Sequence, residues 1–170
     1  MTRVSRKYSK AKWDMSAELA VNSVSADAIT TDLKTTGNTL SLWVCTNESE
    51  LESVVVALAS GSDRLDKLDI AWMDLAQLED QGLVVKATQG ATPVVDFRDR
   101  HRDVVDLNYG GLGKFAGLFV SALRKDQCRR FTRADVVALL KKALEARRLD
   151  LRDLKEGVRE VIARHLGETA

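Results

Sequence analysis

The apolar residues of this chain change their spacing near Gly111, and that change limits what the chain can fold into. Ahead of it, short apolar stretches of strand character are interleaved with helical ones; beyond it the period is helical throughout. Leu40-Ser41-Leu42-Trp43-Val44 alternates as a strand does, directly after a break at Gly37-Asn38. Leu68 to Trp72 reads as a second strand, and Leu83-Val84-Val85 and Val94-Val95-Asp96-Phe97 as shorter ones. Between them, Glu48 to Ala59 sets Leu51, Val54, Val55 and Leu58 on one helical face, with acidic residues in the first turn and a stop at Gly61. Ser25 to Leu33 predicts a shorter helix capped by Ser25.

Past Gly111 three helices are expected. The first places Leu112, Phe115, Ala116, Phe119, Ala122 and Leu123 on one face. The second opens on Thr132-Arg133-Ala134-Asp135, a capping box with Asp in the place of Glu, and buries Val136, Leu139, Leu140, Ala143 and Leu144 before ending near Arg148. The third runs from about Leu151 to Leu166, with Leu154, Val158, Val161, Ile162 and His165 on one stripe, and Gly157 weakens it by about 1 kcal/mol relative to Ala. The class is therefore α+β: a small mixed or antiparallel sheet with packed helices, followed by a three-helix C-terminal part. Residues 1–13 read as a basic flexible arm, 14–108 as an α/β part and 109–170 as a helical part, the last two also compatible with one continuous domain.

At 170 residues the chain is long enough to bury well over half of its unfolded surface. Its 45% apolar and 30% charged content, with a single Pro, excludes disordered and collagenous classes. Cys45 and Cys128 are too few and too far apart for a disulfide framework or a zinc site, which suits a reducing, cytoplasmic setting. The longest greasy stretch, Phe115 to Leu123, is half the length of a membrane span and is interrupted by Gly117 and Ser121, so neither insertion nor secretion is expected.

The net charge of +1 hides a strong segregation. Met1 to Glu18 carries five Lys/Arg against two Asp/Glu, Leu19 to Phe97 four against twelve, and Arg98 to Ala170 seventeen against eleven. Such asymmetry speaks to partners rather than to fold, and it nominates anionic partners for the two ends. The densest basic run, Arg124-Lys125-Asp126-Gln127-Cys128-Arg129-Arg130-Phe131-Thr132-Arg133, is expected between two helices. Its candidate anion-binding residues are Arg124, Lys125, Arg129, Arg130 and Arg133, with Phe131 able to stack on a base or to serve as a hydrophobic staple. Cys128, flanked by arginines, has the setting of a lowered thiol pKa but no sequence-adjacent base.

Chemistry has one candidate cluster. Asp96, Asp99 and Asp103 with His101 offer hard oxygen ligands for a divalent cation and a general base, although Arg98, Arg100 and Arg102 compete for the same carboxylates. Gly110-Gly111-Leu112-Gly113-Lys114 enters a helix as phosphate-cradling loops do, but it lacks the length of a P-loop, and Phe115 stands where Ser or Thr belongs. His165 has no metal-ligand partner on its face and reads as a packed or end-capping histidine. Trp43 and Trp72 read as core or half-buried anchors, and Trp13 as a pin of the basic arm to the body or to a partner.

Three functions follow in order. The first is a non-enzymatic intracellular interaction protein that binds a protein partner or itself through the basic C-terminal helical region, the acidic middle and basic end being complementary. The second is nucleic-acid binding through Arg3 to Lys12 and Arg124 to Arg133. The third is a metal-assisted hydrolase at Asp96 to Asp103. No cofactor, no resident metal and no membrane partner are expected.

Overall fold

The computed structural model describes residues 2–13 and 23–167. Among them, six strands form one antiparallel sheet: β1 (Arg3–Tyr8), β2 (Leu40–Cys45), β3 (Leu68–Asp74), β4 (Val84–Ala87), β5 (His101–Val105) and β6 (Cys128–Phe131), in the order β4-β5-β2-β1-β3-β6. The helices are α1 (Ala26–Asp32), α2 (Glu48–Ser60), α3 (Leu75–Asp80), α4 (Tyr109–Arg124), α5 (Arg133–Glu145) and α6 (Glu156–Leu166). The α+β class expected from the sequence is the observed one, and the sheet is antiparallel throughout. None of these helices is long and apolar enough to cross a membrane.

The expected flexible arm over 1–13 is replaced, among the described residues 2–13, by a strand: Arg3 to Tyr8 form β1, paired with β2 on one side and β3 on the other. The charged composition hid a central strand. Val4 and Tyr8 face one core and are fully or almost fully buried, while Ser5 faces the other and donates its hydroxyl to the carbonyl of Trp43 at 3.0 Å. Arg6 is tolerated because its guanidinium donates to the carbonyls of Asp32 and Ser41, each at 2.6 Å. Burial still costs that cation its solvation and lowers its pKa to about 10, against the opposing pull of Asp32.

The sheet has a core on each face. On one, α2, α5 and α6 cover Trp43, Ile70 and Phe131; on the other, α1, α3 and α4 cover Val4, Leu42 and Met73, with Phe115 and Phe119 at the centre. The last helix begins at Glu156 rather than near Leu151, where Leu151–Asp153 form a separate 3-10 turn, and the helices after Gly111 do not gather into one unit, since α4 packs on β3 from one side while α5 packs on α2 and α6 from the other. Between α4 and α5 the basic run forms edge strand β6 rather than a loop. Val94 to Phe97 is not a strand. Val95–Arg100 form 3-10 turns, and Val94 at their N-cap and Phe97 within them, three residues apart, both reach the core. The strand comes next, in the charge-rich His101–Val105, where only Val104 is fully buried.

Ser25 and Thr132 cap as the sequence predicts, and Asn47 and Asn108 supply two caps not singled out from it. Ser25, Asn47, Asn108 and Thr132 each accept a backbone N–H at a helix start, and Thr132 with Asp135 completes the capping box. Gly157, expected only to weaken α6, has a packing reason: a Cβ there would lie 2.5 Å from the carbonyl oxygen of Asp63. Gly90 lets the segment after β4 close over Trp43, whose ring would lie 2.3 Å from any Cβ at that position.

Candidate anion-binding cleft

The segregated charges meet inside the fold. Arg100 pairs with Glu50 at 2.9 Å, Arg130 with Asp69 at 2.7 Å, Arg148 with Asp96 at 2.8 Å and Lys155 with Asp63 at 2.7 Å, and Arg129 pairs with Glu48. Each joins a carboxylate of the acidic middle to a cation of the basic end. Surface pairs of this kind contribute little individually, about 0–1 kcal/mol, so their main consequence is to spend the complementarity within one chain.

Strand β6 separates the residues that the sequence placed side by side. Successive side chains of a strand point to opposite faces, so Arg129 lies 4.6 Å over the ring of Phe131 on the face of α2 and α5, while Arg130 turns to Asp69. Phe131 is 1% exposed, which makes it core rather than a stacking platform. Gln127 accepts the N–H of Trp72, three residues along β3 from Asp69, so the turn bearing Arg124 and Lys125 lies toward the other end of that strand. Arg133 opens α5 and is exposed.

Arg130 instead joins residues from the N-terminus. A cleft of about 710 Å³ is lined by Lys7, Tyr8 and Lys10 of β1 and the turn after it, by the loop from Ser62 to Lys67, and by Asp69 and Arg130. Among the described residues it holds five cations, Lys7, Lys10, Arg64, Lys67 and Arg130, against three carboxylates, Asp63, Asp66 and Asp69. Lys7, Lys10, Arg64 and Lys67 are exposed, and none of them enters an ion pair among the described residues. Asp69, 5% exposed, takes Nε and Nη2 of Arg130 at 2.7 and 3.0 Å and lies 3.4 Å from the backbone N–H of Lys10. Tyr8 closes the floor at 3% exposure; burial first, then its hydrogen bond to Cys128, pushes its hydroxyl well above the usual phenol range, so it stays a neutral donor.

Arg64 and Lys67 escaped the sequence reading because they sit in the acidic middle, where Asp63 and Asp66 mask them. The turn-like Ser60-Gly61-Ser62 ahead of them was the available signal for an exposed loop.

The hydrolase cluster is divided. Asp96 is held by Arg148, and Asp99 stays on the surface. His101 and Asp103 do meet, through Thr88: its Oγ1 lies 2.7 Å from His101 Nδ1 and donates to Asp103 Oδ2 at 2.9 Å, while Ser41 donates to Asp103 Oδ1 at 3.0 Å. The single hydroxyl proton of Thr88 is thus committed to Asp103, and Nδ1 must carry the proton of the neutral imidazole. That order clamps β4, β5 and β2 and leaves no activated hydroxyl. Burial against Trp43 lowers the His101 pKa, with Asp103 opposing and Arg102 assisting. Among the described residues no three His, Cys, Asp or Glu side chains are grouped to hold a metal ion.

The glycine-rich helix entry is also occupied, since the Asn108 side chain accepts the Gly111 N–H at 2.8 Å and Lys114 donates to the carbonyl of Gln81 at 2.9 Å. His165 is exposed and hydrogen-bonds the carbonyl of Val161 through Nδ1 at 2.7 Å. Cys45 is buried, which raises its thiol pKa. Comparison with protein-family models, with curated proteins and with solved structures returned no match for the chain.

Proposed function

We propose that the protein is a binding protein rather than a catalyst, and that it holds an anionic macromolecule in the cleft between β1, the α2–β3 loop and β6. The observation that carries this is the convergence of Lys7 and Lys10, Arg64 and Lys67, and Arg130 from three separate segments, four of the five without a carboxylate partner among the described residues. Cations gathered at one concave place raise the local concentration of an anionic ligand, whatever the net charge. This reading stays with binding rather than catalysis and moves the surface from the basic C-terminal helices to a cleft that uses one of their flanking arginines.

A net charge of +1 makes the test clean, because a near-neutral protein has little reason to adhere to a polyanion except through a local patch. On a sulfated-polysaccharide column at low salt the wild type is expected to be retained and to elute with salt, and the Lys7→Glu/Arg64→Glu variant to emerge much earlier. Wild type in the flow-through would remove the proposal.

A further inference from the structure

We infer that the ligand of this cleft is the phosphate backbone of a double-stranded nucleic acid, held without readout of its bases; this rests on the cleft being an anion site. Three classes of anionic macromolecule compete for such a surface, namely an acidic protein, a single strand and a duplex. The lining discriminates among them.

An acidic protein partner would need more than charge. Stable protein interfaces are centred on a desolvated apolar or aromatic cluster with a polar rim around it. Here the lining includes the Asp69–Arg130 pair, Tyr8 is 3% exposed, and among the described residues Ala11 is the one other apolar lining residue. Charge alone binds a polyelectrolyte far better than a protein, because each phosphate neutralised releases condensed counterions.

Single-strand binders add exposed aromatic side chains on which unpaired bases stack, worth about 1–3 kcal/mol per base. The cleft has none: Tyr8 is covered and Phe131 is core. Tyr109, 95% exposed at the start of α4, does not line it. Nor is there a device for reading base edges, which are bonded by Arg, Asn or Gln on a helix or ribbon set into a groove. Among the described residues no Asn or Gln lines the cleft, and its four unpaired cations stand on a strand and loops, where they reach phosphates from outside a helix.

The buried Asp69 gives the site its fixed point. By taking Nε and Nη2 it orients Arg130 and leaves the remaining N–H groups of the guanidinium, which is 44% exposed as a side chain, for a phosphate oxygen. Lys155 offsets the charge of Asp63 on the loop, reducing its repulsion of a phosphate.

If the four unpaired cations each neutralise one phosphate of a B-form duplex, log K falls with log salt at a slope of about −3.6, or roughly a hundredfold between 50 and 200 mM. The experiment is fluorescence anisotropy with two labelled duplexes of unrelated sequence, one of their single strands, and polyglutamate of matching charge. Expected are equal affinities for the two duplexes, a slope between about −3 and −5, binding at least tenfold weaker to the single strand and to polyglutamate, and loss of duplex binding in Arg64→Glu/Lys67→Glu and in Lys7→Glu at unchanged melting temperature. Equal or tighter binding of the single strand or of polyglutamate, or a tenfold preference between the duplexes, overturns the inference while retention on the sulfated column leaves the anion site standing. Failure on the column as well removes both.

Discussion

Trp13 donates its indole N–H to the carboxylate of Asp32 at 2.8 Å, the same carboxylate that accepts the backbone N–H of Ser9 at 2.8 Å and its hydroxyl at 3.1 Å. Asp32, at the end of α1, is thereby the anchor of the turn that follows β1, and with that turn it positions Lys10 at the cleft. Trp13 packs on Phe119 at 4.8 Å between ring centroids, so the basic N-terminus is tied into the core at both ends of residues 3–13.

Asp32→Ala leaves a buried indole N–H and a backbone N–H without an acceptor. The expected loss is about 2 to 4 kcal/mol, since each unsatisfied buried donor costs about 1–3. Chemical denaturation measures it, and Asp32→Asn, which keeps one acceptor oxygen, is expected to lose less. A change below about 0.5 kcal/mol, the range of ordinary surface substitutions, would show that the turn is not held this way.

Two glycines are expected to answer substitution with opposite signs. Gly90→Ala drives a methyl into the Trp43 ring and to 3.1 Å from the His101 Cβ, which is expected to cost about 1–3 kcal/mol as overpacking does. At Gly113, inside α4, an added Cβ meets nothing within 4 Å, and Gly113→Ala is expected to stabilise by about 0.5–1 kcal/mol through helix propensity. Melting temperatures of the two variants, lower and higher than wild type respectively, check the pair together.

His101 makes stability depend on pH. Its folded pKa lies below the ordinary value of about 6.5, because burial disfavours the imidazolium. The unfolded chain therefore takes up the proton first, so the contribution is present above about pH 6.5 and is lost as the pH falls through that value toward the folded pKa. Denaturation midpoints compared at pH 7.5 and 5.5 are expected to fall less in His101→Gln than in the wild type. Equal falls would place the pH dependence elsewhere.

The elements with an apolar period of their own were legible. Leu40 to Val44, Leu68 to Trp72, Glu48 to Ala59 and the Thr132 capping box were read from side-chain spacing and cap chemistry, because their buried faces are made by neighbours in sequence. β1, β5 and β6 were not. Each is charge-rich, and each is a strand by virtue of pairing with residues far along the chain: Val4 with Val44 and Met73, His101 with Trp43, Arg130 with Asp69. The same non-locality governed the site. The sequence supplied two basic ends but not their meeting, and the fold brings Lys7, Lys10 and Arg130 together while sending Arg124 and Lys125 away.

That separation supplies the most direct test. Duplex affinity is measured at 50 mM salt for two charge reversals of equal size, Arg64→Glu/Lys67→Glu in the cleft and Arg124→Glu/Lys125→Glu where α4 ends and the turn to β6 begins, each confirmed folded by its thermal transition. Binding is expected to fall at least tenfold in the cleft variant and to change by less than about threefold in the other. Equal losses in both would show diffuse attraction to basic surface, and a loss confined to Arg124→Glu/Lys125→Glu would place the site at the turn instead of the cleft.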